Sequence, residues 1–232
     1  MLPTPSLGHL SKHDYLKVYE PAEDTFIFLD ALEQDADELR RREPRLIVEI
    51  GSGSGCVSAF IAQILGDGAA AVLCTDINSF ASECTRKTGA ANKTHLEPVV
   101  THMLSALSSR AQGAERAAGL IDVLLFNPPY VPTTEEEEAI AQREGALAGS
   151  WAGGSMGTNL LNDLITSVDR RERGGIETVL SPGGVFYFVA IKQNDPDALV
   201  KQLRDRGLDA DIALSRRAGR EHLFIIRARK SV

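Results

Sequence analysis

Cysteine is scarce in this chain: Cys56, Cys74 and Cys84 are the only three among 232 residues. They are odd in number and form no Cys-x-x-Cys pair, so a disulfide framework or a zinc site within this chain does not fit. A reduced compartment does, and the expected location is the cytoplasm, with the nucleus open as a second one. Long apolar runs are missing as well. No stretch approaches the roughly 20 residues that cross a bilayer as a helix, and Met1 to Leu16 lacks the basic-then-apolar pattern of a secretory leader. Basic charge is in short supply: 25 Lys and Arg stand against 32 Asp and Glu, for a net charge of −7 and a pI near 5.3. The clusters Arg40-Arg41-Arg42, Arg170-Arg171 and Arg216-Arg217 are short and suit helix ends or loops facing water. Binding of a nucleic-acid duplex by this chain alone is therefore disfavoured. No internal repeat is present.

What the chain does contain is ordinary globular composition, 43% hydrophobic and 25% charged, with mean hydropathy −0.11. That is enough for one full core and predicts one domain, residues 18–232, behind an N-terminal tail over 1–17. Apolar residues at three- and four-residue steps (Phe26, Ile27, Leu29, Leu32, Leu39) predict one helix from Ala22 to about Arg42, with Pro21 at its first turn. A strand follows at 46–50, then a glycine-rich turn and a helix over 57–65. A second strand over 70–77 and a helix over 79–92 come next, followed by a weaker strand over 98–104. Residues 105–120 predict a short helix and loop, and 121–126 a fourth strand. Beyond them lie a helix over 159–180, a buried strand over 185–191, a helix over 195–206 and strands near 210–215 and 223–229. Strand–helix alternation with continuously apolar strands means a mainly parallel sheet covered on both faces. The last two strands have only 216–221 between them, too short for a crossover helix, and predict an antiparallel hairpin closing the sheet. Methyltransferases that use S-adenosylmethionine have this reversed terminal strand, whereas dinucleotide dehydrogenases keep theirs parallel.

The fourth strand ends in Asn127-Pro128-Pro129-Tyr130. Two prolines remove two backbone donors and fix two φ angles, so the sheet cannot continue through them. A rigid, extended corner is left at a strand's carboxyl end, where open α/β sheets place their ligands. It offers an amide side chain, a proline carbonyl and an aromatic face, a receptor for a planar group bearing N–H. Methyl transfer to nitrogen is the expected chemistry. Asn127 and Pro128 would accept the two amide hydrogens and Tyr130 would wall the amide plane, making these three the candidate catalytic residues.

The first strand runs into Glu49-Ile50-Gly51-Ser52-Gly53-Ser54-Gly55 and opens a helix. Glycines let the backbone turn sharply and approach a ligand closely. The spacing is Gly-x-Gly-x-Gly, unlike a dinucleotide turn. An acid at Glu49 would repel a pyrophosphate but suits a donor carrying an ammonium and a sulfonium. Asp76, 25 positions after Gly51, ends the second strand. It either caps the next helix or accepts both ribose hydroxyls, and beside the glycine turn the ribose role is favoured.

Taken with Val18-Tyr19-Glu20-Pro21-Ala22-Glu23-Asp24-Thr25 and Trp151-Ala152-Gly153-Gly154, these motifs occur in an order that resembles the HemK-type protein-glutamine N5-methyltransferases. The Tyr-Glu-Pro-Ala-Glu-Asp-Thr entry and compact length are similar to the eukaryotic and archaeal branch, and the likeness spans about 18–229. The resemblance implies a Rossmann-like, seven-stranded class I S-adenosylmethionine methyltransferase, mainly parallel with an antiparallel terminal strand. It implies S-adenosyl-L-methionine as cofactor and the glutamine of a Gly-Gly-Gln motif in a class 1 translation release factor as acceptor. Tyr19, Glu20, Pro21, Glu23 and Thr25 would cover the donor from the N-terminal side, with Glu49, Gly51, Gly53, Asp76 and Asn127 completing its site. Glu20 or Glu23 could pair with the methionine ammonium, and Thr25 could bond its carboxylate. Where the family has an acid after the third strand, this chain reads Thr101-His102-Met103, so either His102 substitutes or backbone groups read the adenine. The branch also implies a small zinc-binding activator subunit, forming a heterodimer along an exposed third-strand edge at Val99, Val100 and Met103.

Other acceptors fit the residues too. Adenine in nucleic acid uses the same Asn-Pro-Pro-Tyr corner, and protein lysine would suit Glu135 to Glu138, themselves readable as a solvated helix start. A methyltransferase fold serving as a non-catalytic scaffold is the reading outside enzymology, though Gly51, Gly53, Asp76 and Asn127 are all retained. Trp151 to Gly154 is either a loop closing over the acceptor or a turn leading a helix.

Overall fold

The computed structural model describes residues 2–66, 68–108, 119–129, 159–166, 175–219 and 221–232. Its strands are β1 (Leu46–Ile50), β2 (Ala71–Asp76), β3 (Glu97–Val100), β4 (Ile121–Phe126), β5 (Leu180–Ile191), β6 (Asp209–Ala218) and β7 (Glu221–Arg229). They form one seven-stranded sheet in the order β3-β2-β1-β4-β5-β7-β6. β1 to β5 pair in parallel; β7 runs antiparallel between β5 and β6. The helices are α1 (Glu23–Gln34), α2 (Ala36–Arg42), α3 (Cys56–Leu65), α4 (Ser79–Asn92), α5 (Ser105–Ser108), α6 (Asn159–Thr166), α7 (Ile176–Val179) and α8 (Pro196–Asp205).

Alternate residues of each central strand serve opposite layers, which is why these strands read as continuously apolar. Ile47, Val123, Leu125, Val185 and Val189 pack with Ile27, Phe28, Leu32 and Leu39 of α1 and α2 and Phe60, Ile61 and Ile64 of α3. On the other face Val48, Ile50, Leu124, Phe126, Phe186 and Phe188 meet Leu161, Leu164 and Ile165 of α6 and Leu199 and Leu203 of α8.

Four sequence expectations need correction. The helix predicted over 22–42 is two helices meeting at Asp35. That carboxylate is drawn to the sheet, accepting from Tyr187 Oη at 2.6 Å and from Arg227 Nη1 at 2.6 and 2.8 Å. The third strand stops at Val100, not 104: the Thr101 amide makes the last ladder bond, to the Asp76 carbonyl, and the chain then turns, with Met103 at φ +48°. Met103 accordingly packs against the core and not along the exposed edge. The helix expected over 159–180 is α6 and α7, and β5 already begins at Leu180.

Residues 2–17, expected as a tail, lie against α4. Leu7, Leu10, Tyr15 and Val18 pack on Ala81 and Cys84. Ser6 and Asn92 exchange two hydrogen bonds of 2.7 and 2.9 Å, and Asn78 Nδ2 donates to the Lys17 carbonyl at 2.7 Å.

Arg227 joins α1 to the terminal hairpin. Beyond Asp35 it donates to Asp211 at 2.7 and 3.1 Å, and its side chain is 17% exposed. Removing it leaves the Asp35 carboxylate, 13% exposed, without its cationic partner. Arg227→Ala should cost about 3 kcal/mol, read as a lower urea midpoint; an unchanged midpoint would show the network contributes nothing net.

Candidate active site

Three strand ends abut at one crevice. Ile50 of β1 is in register with Thr75 of β2 on one side and Phe126 of β4 on the other. The next residue of each, Gly51, Asp76 and Asn127, therefore emerges at neighbouring positions about 5 Å apart. This is the point where the strand order reverses, and open α/β sheets bind their ligands there.

The glycine turn needs its glycines for two different reasons. Gly51, Gly53 and Gly55 all have positive φ, +68°, +52° and +77°. A Cβ on Gly51 would meet nothing within 4 Å, so that residue leaves open space at the crevice, whereas one on Gly55 would sit 2.8 Å from Thr85 Cα of α4. Helix α4 thus packs directly on the turn and secures it. Thr85 Oγ1 lies 3.0 Å from Ser52 Oγ and 3.3 Å from the Gly53 carbonyl, and Thr88 Oγ1 donates to the Ser54 carbonyl at 2.6 Å. Sequence reasoning missed both threonines, whose signal is only two small hydroxyls three positions apart on a helix.

Asp76 is held by backbone donors: Gly53 N to Oδ2 at 3.0 Å and Asn78 N to Oδ1 at 2.8 Å. Each oxygen keeps a lone pair for a further donor, the arrangement a vicinal diol requires. Burial pushes the Asp76 carboxyl up from its ordinary value, and those amide donors oppose the shift. Ile77 beside it is 64% exposed, an apolar wall that sequence reasoning also passed over.

The N-terminal motif reaches the crevice through a residue that its sequence pattern did not single out. Glu20 and Glu23 are exposed, Tyr19 and Pro21 half-buried, Thr25 buried. Between them Asp24 is 3% exposed. Its Oδ1 accepts from Thr25 N at 2.7 Å and from Tyr19 Oη at 3.1 Å, while Oδ2 accepts from Asn127 Nδ2 at 2.9 Å. The Asn127 amide is thereby oriented, because a carboxylate oxygen takes donors only. Its Oδ1 is buried with no hydrogen-bond partner. Pro128 follows, also buried.

Glu49 turns away from the crevice. Its carboxyl lies under the sheet, accepts from the Ser58 hydroxyl of α3, and is pushed up to about 8 chiefly by burial. Cys74 Sγ donates in turn to Ser58 Oγ at 3.1 Å. His102 sits exposed after β3, on a segment joined to the end of β2 through the Thr101 amide. Tyr130, Glu135 to Glu138 and Trp151 to Gly154 lie outside the described residues.

These groups fit a methylated nucleoside donor. Open space faces Gly51, a diol receptor stands at Asp76, an apolar wall at Ile77 and an orphaned acceptor at Asn127. Strand order and the reversed β7 separate the sheet from dinucleotide-binding ones and define a class I S-adenosylmethionine-dependent methyltransferase. The methyltransferase small domain profile matches residues 25–149. Methyltransferase HEMK2 of Mus musculus is 41% identical over 230 residues, covering 99% of this chain and 98% of that protein. The eRF1 methyltransferase catalytic subunit mtq2 of Schizosaccharomyces pombe is 36% identical, covering 98% and 95%. Among solved structures, a chain of the E. cuniculi Mtq2–Trm112 complex superposes with a TM-score of 0.64 at 24% identity, covering 92% of this chain and 99% of that one. The chain belongs to the HemK-type protein-glutamine methyltransferases.

Glu49 makes stability depend on pH. A carboxyl at about 8 in the fold, against an ordinary 4.5, holds its proton more tightly folded than unfolded. The stability tied to it is complete below pH 4.5 and is lost as pH rises toward 8. In donor-free protein, Glu49→Gln should flatten the decline in melting temperature between pH 5 and 8. Parallel profiles for the two proteins would rule this out.

Proposed function

We propose that the chain methylates N5 of the glutamine in the Gly-Gly-Gln motif of a class 1 translation release factor. The observation that carries this reading is the Asn127 amide at the end of β4, oriented by Asp24 and carrying a buried oxygen with no hydrogen-bond partner. A buried acceptor without a donor costs about 1–3 kcal/mol, which an incoming N–H relieves. The names of the relatives support the acceptor: that of the fission yeast protein specifies eRF1, and the E. cuniculi complex is described as responsible for methylation of that termination factor.

A glutamine amide nitrogen is a weak nucleophile, since its lone pair is delocalised into the carbonyl. Asn127 Oδ1 and the Pro128 carbonyl accept its two hydrogens and aim the nitrogen, and they stabilise those N–H groups as they become acidic. Bound S-adenosylmethionine supplies an electrophilic methyl carbon on a positively charged sulfur. Asp76 would hold its ribose, the Gly51–Gly53 backbone would admit its close approach, Ile77 would face its base, and Thr25 would bond its carboxylate. The amide proton leaves to water after transfer, so no side chain need act as a dedicated base.

A small zinc-binding activator subunit is the proposed partner, added as a strand along β3. That strand is terminal in the sheet, and Val100 is 57% exposed beside half-buried Val99. Such an edge is a template for pairing with another chain. The E. cuniculi relative was solved as a complex with Trm112, which supports a partner subunit here.

Labelled S-adenosylmethionine, with and without the activator, is given together with release factor, histone or DNA, and mass spectrometry locates the methyl. The expected product is methylglutamine in the release factor, and Asn127→Ala should abolish it while sparing donor binding. Label on DNA or histone lysine alone would overturn the assignment. Val100→Lys should weaken activator binding at least about tenfold, since it places a charge in the strand-pairing edge; full activity of the isolated, monomeric chain would remove the need for a partner.

A further inference from the structure

We propose that Asp24 is the positioning residue that determines which end of the Asn127 amide faces the acceptor. This rests on the reading that Asn127 Oδ1 receives an acceptor N–H. The two ends of an amide have nearly the same shape and opposite hydrogen-bonding character, so an asparagine at a strand's end needs an external reference. Asp24 supplies it from a residue 103 positions away. Its two oxygens are divided between two tasks. Oδ1 takes the Thr25 amide and the Tyr19 hydroxyl, which fix the carboxylate on the first turn of α1. Oδ2 accepts from Asn127 Nδ2 at 2.9 Å. Both partners are enclosed, since Asp24 is 3% exposed and Asn127 Oδ1 is shut off from solvent, so water is a poor substitute at either place.

An isosteric change then has an effect that its size does not suggest. In Asp24→Asn the new side chain keeps its oxygen toward two donors, the Thr25 amide and the Tyr19 hydroxyl. Its NH2 therefore faces Asn127, which must rotate to accept, and an NH2 now points at the place where an N–H has to be received. Asp24→Asn should lower kcat by about 100-fold, the loss seen when one preorganised polar contact to the reacting group is removed, while affinity for S-adenosylmethionine is retained. The exchanged pair Asp24→Asn with Asn127→Asp restores an oxygen to the crevice, so it should be more active than either single variant. Non-additivity of that kind identifies direct coupling.

The test uses the full chain with its activator and release factor, measuring kcat, donor affinity by titration and melting temperature for the two single variants and the pair. A nitrogen-15 spectrum of the wild type should show a slowly exchanging Asn127 side-chain NH2 that shifts in Asp24→Asn. Unchanged kcat in Asp24→Asn, a loss expressed wholly as weaker donor binding, or a folded double variant no better than the singles would each overturn the proposal. The spectrum needs no acceptor. A wild type that methylates no glutamine would end the functional reading, while an unshifted Asn127 NH2 would separately end the role assigned to Asp24.

Discussion

The contact between Asn127 Nδ2 and Asp24 Oδ2, spanning 103 residues, joins the two halves of the site. One partner stands at the end of β4 and the other on the first turn of α1, so the contact exists only if the helix crosses the sheet at the right height. That height is set by packing. Ile27, Phe28, Leu29, Ala31 and Leu32 are all buried in the layer formed with α3 and the alternate residues of β1, β4 and β5. Burial on this scale contributes about 1.5–3 kcal/mol for each large side chain, far more than the single hydrogen bond. The apolar layer therefore supports a locally unfavourable arrangement, in which Asn127 Oδ1 is buried without a partner.

A second constraint acts on the glycine turn. Backbone at positive φ gives Gly51, Gly53 and Gly55 their sharp path, but glycine freedom alone would leave the turn loose. Rigidity comes from α4, whose Thr85 and Thr88 bond the turn from behind. The N-terminal segment reaches the same place, since His9 Nε2 lies 3.0 Å from Thr88 Oγ1. Because Thr88 gives its proton to the Ser54 carbonyl, it accepts from His9, which leaves Nδ1 bare and buried without a partner. Burial lowers the His9 pKa, in keeping with a ring that is neutral there.

Much of this was readable from the chain, and the failures share a cause. The mainly parallel sheet followed from strand–helix alternation, and the reversed hairpin from the short connection between the last two strands. Gly51, Gly53, Asp76 and Asn127 converge because each lies at or just past the end of a strand that was legible. Asp24 was missed because its neighbours Glu20, Glu23 and Thr25 offer the same chemistry, and only helical phase decides which acid is buried. The break at Asp35 was equally hidden, since the partners drawing it out of the helix, Tyr187 and Arg227, are more than 150 positions away. Local pattern predicts elements well; it cannot anticipate a side chain whose conformation is decided by a distant strand.

Acids show the same division. Glu49 stands two residues before Gly51 and reads as a charge offered to a cationic donor. Strand alternation sends its side chain toward α3, where Ser58 is its hydrogen-bond donor and burial favours the protonated form. Asp24 and Asp76 instead accept from backbone amides, Asp24 from Thr25 beside it and Asp76 from Asn78 and from Gly53 of the glycine turn, and these bonds restrict where each carboxyl group stands. Exposed Glu20 and Glu23 have no such donor among the described residues. Around a crevice meant to receive a cationic sulfur and a weakly nucleophilic amide, the acids with defined geometry are those tied to backbone donors. Sequence proximity to the glycines is a poorer guide than the hydrogen bonds each carboxyl group can make.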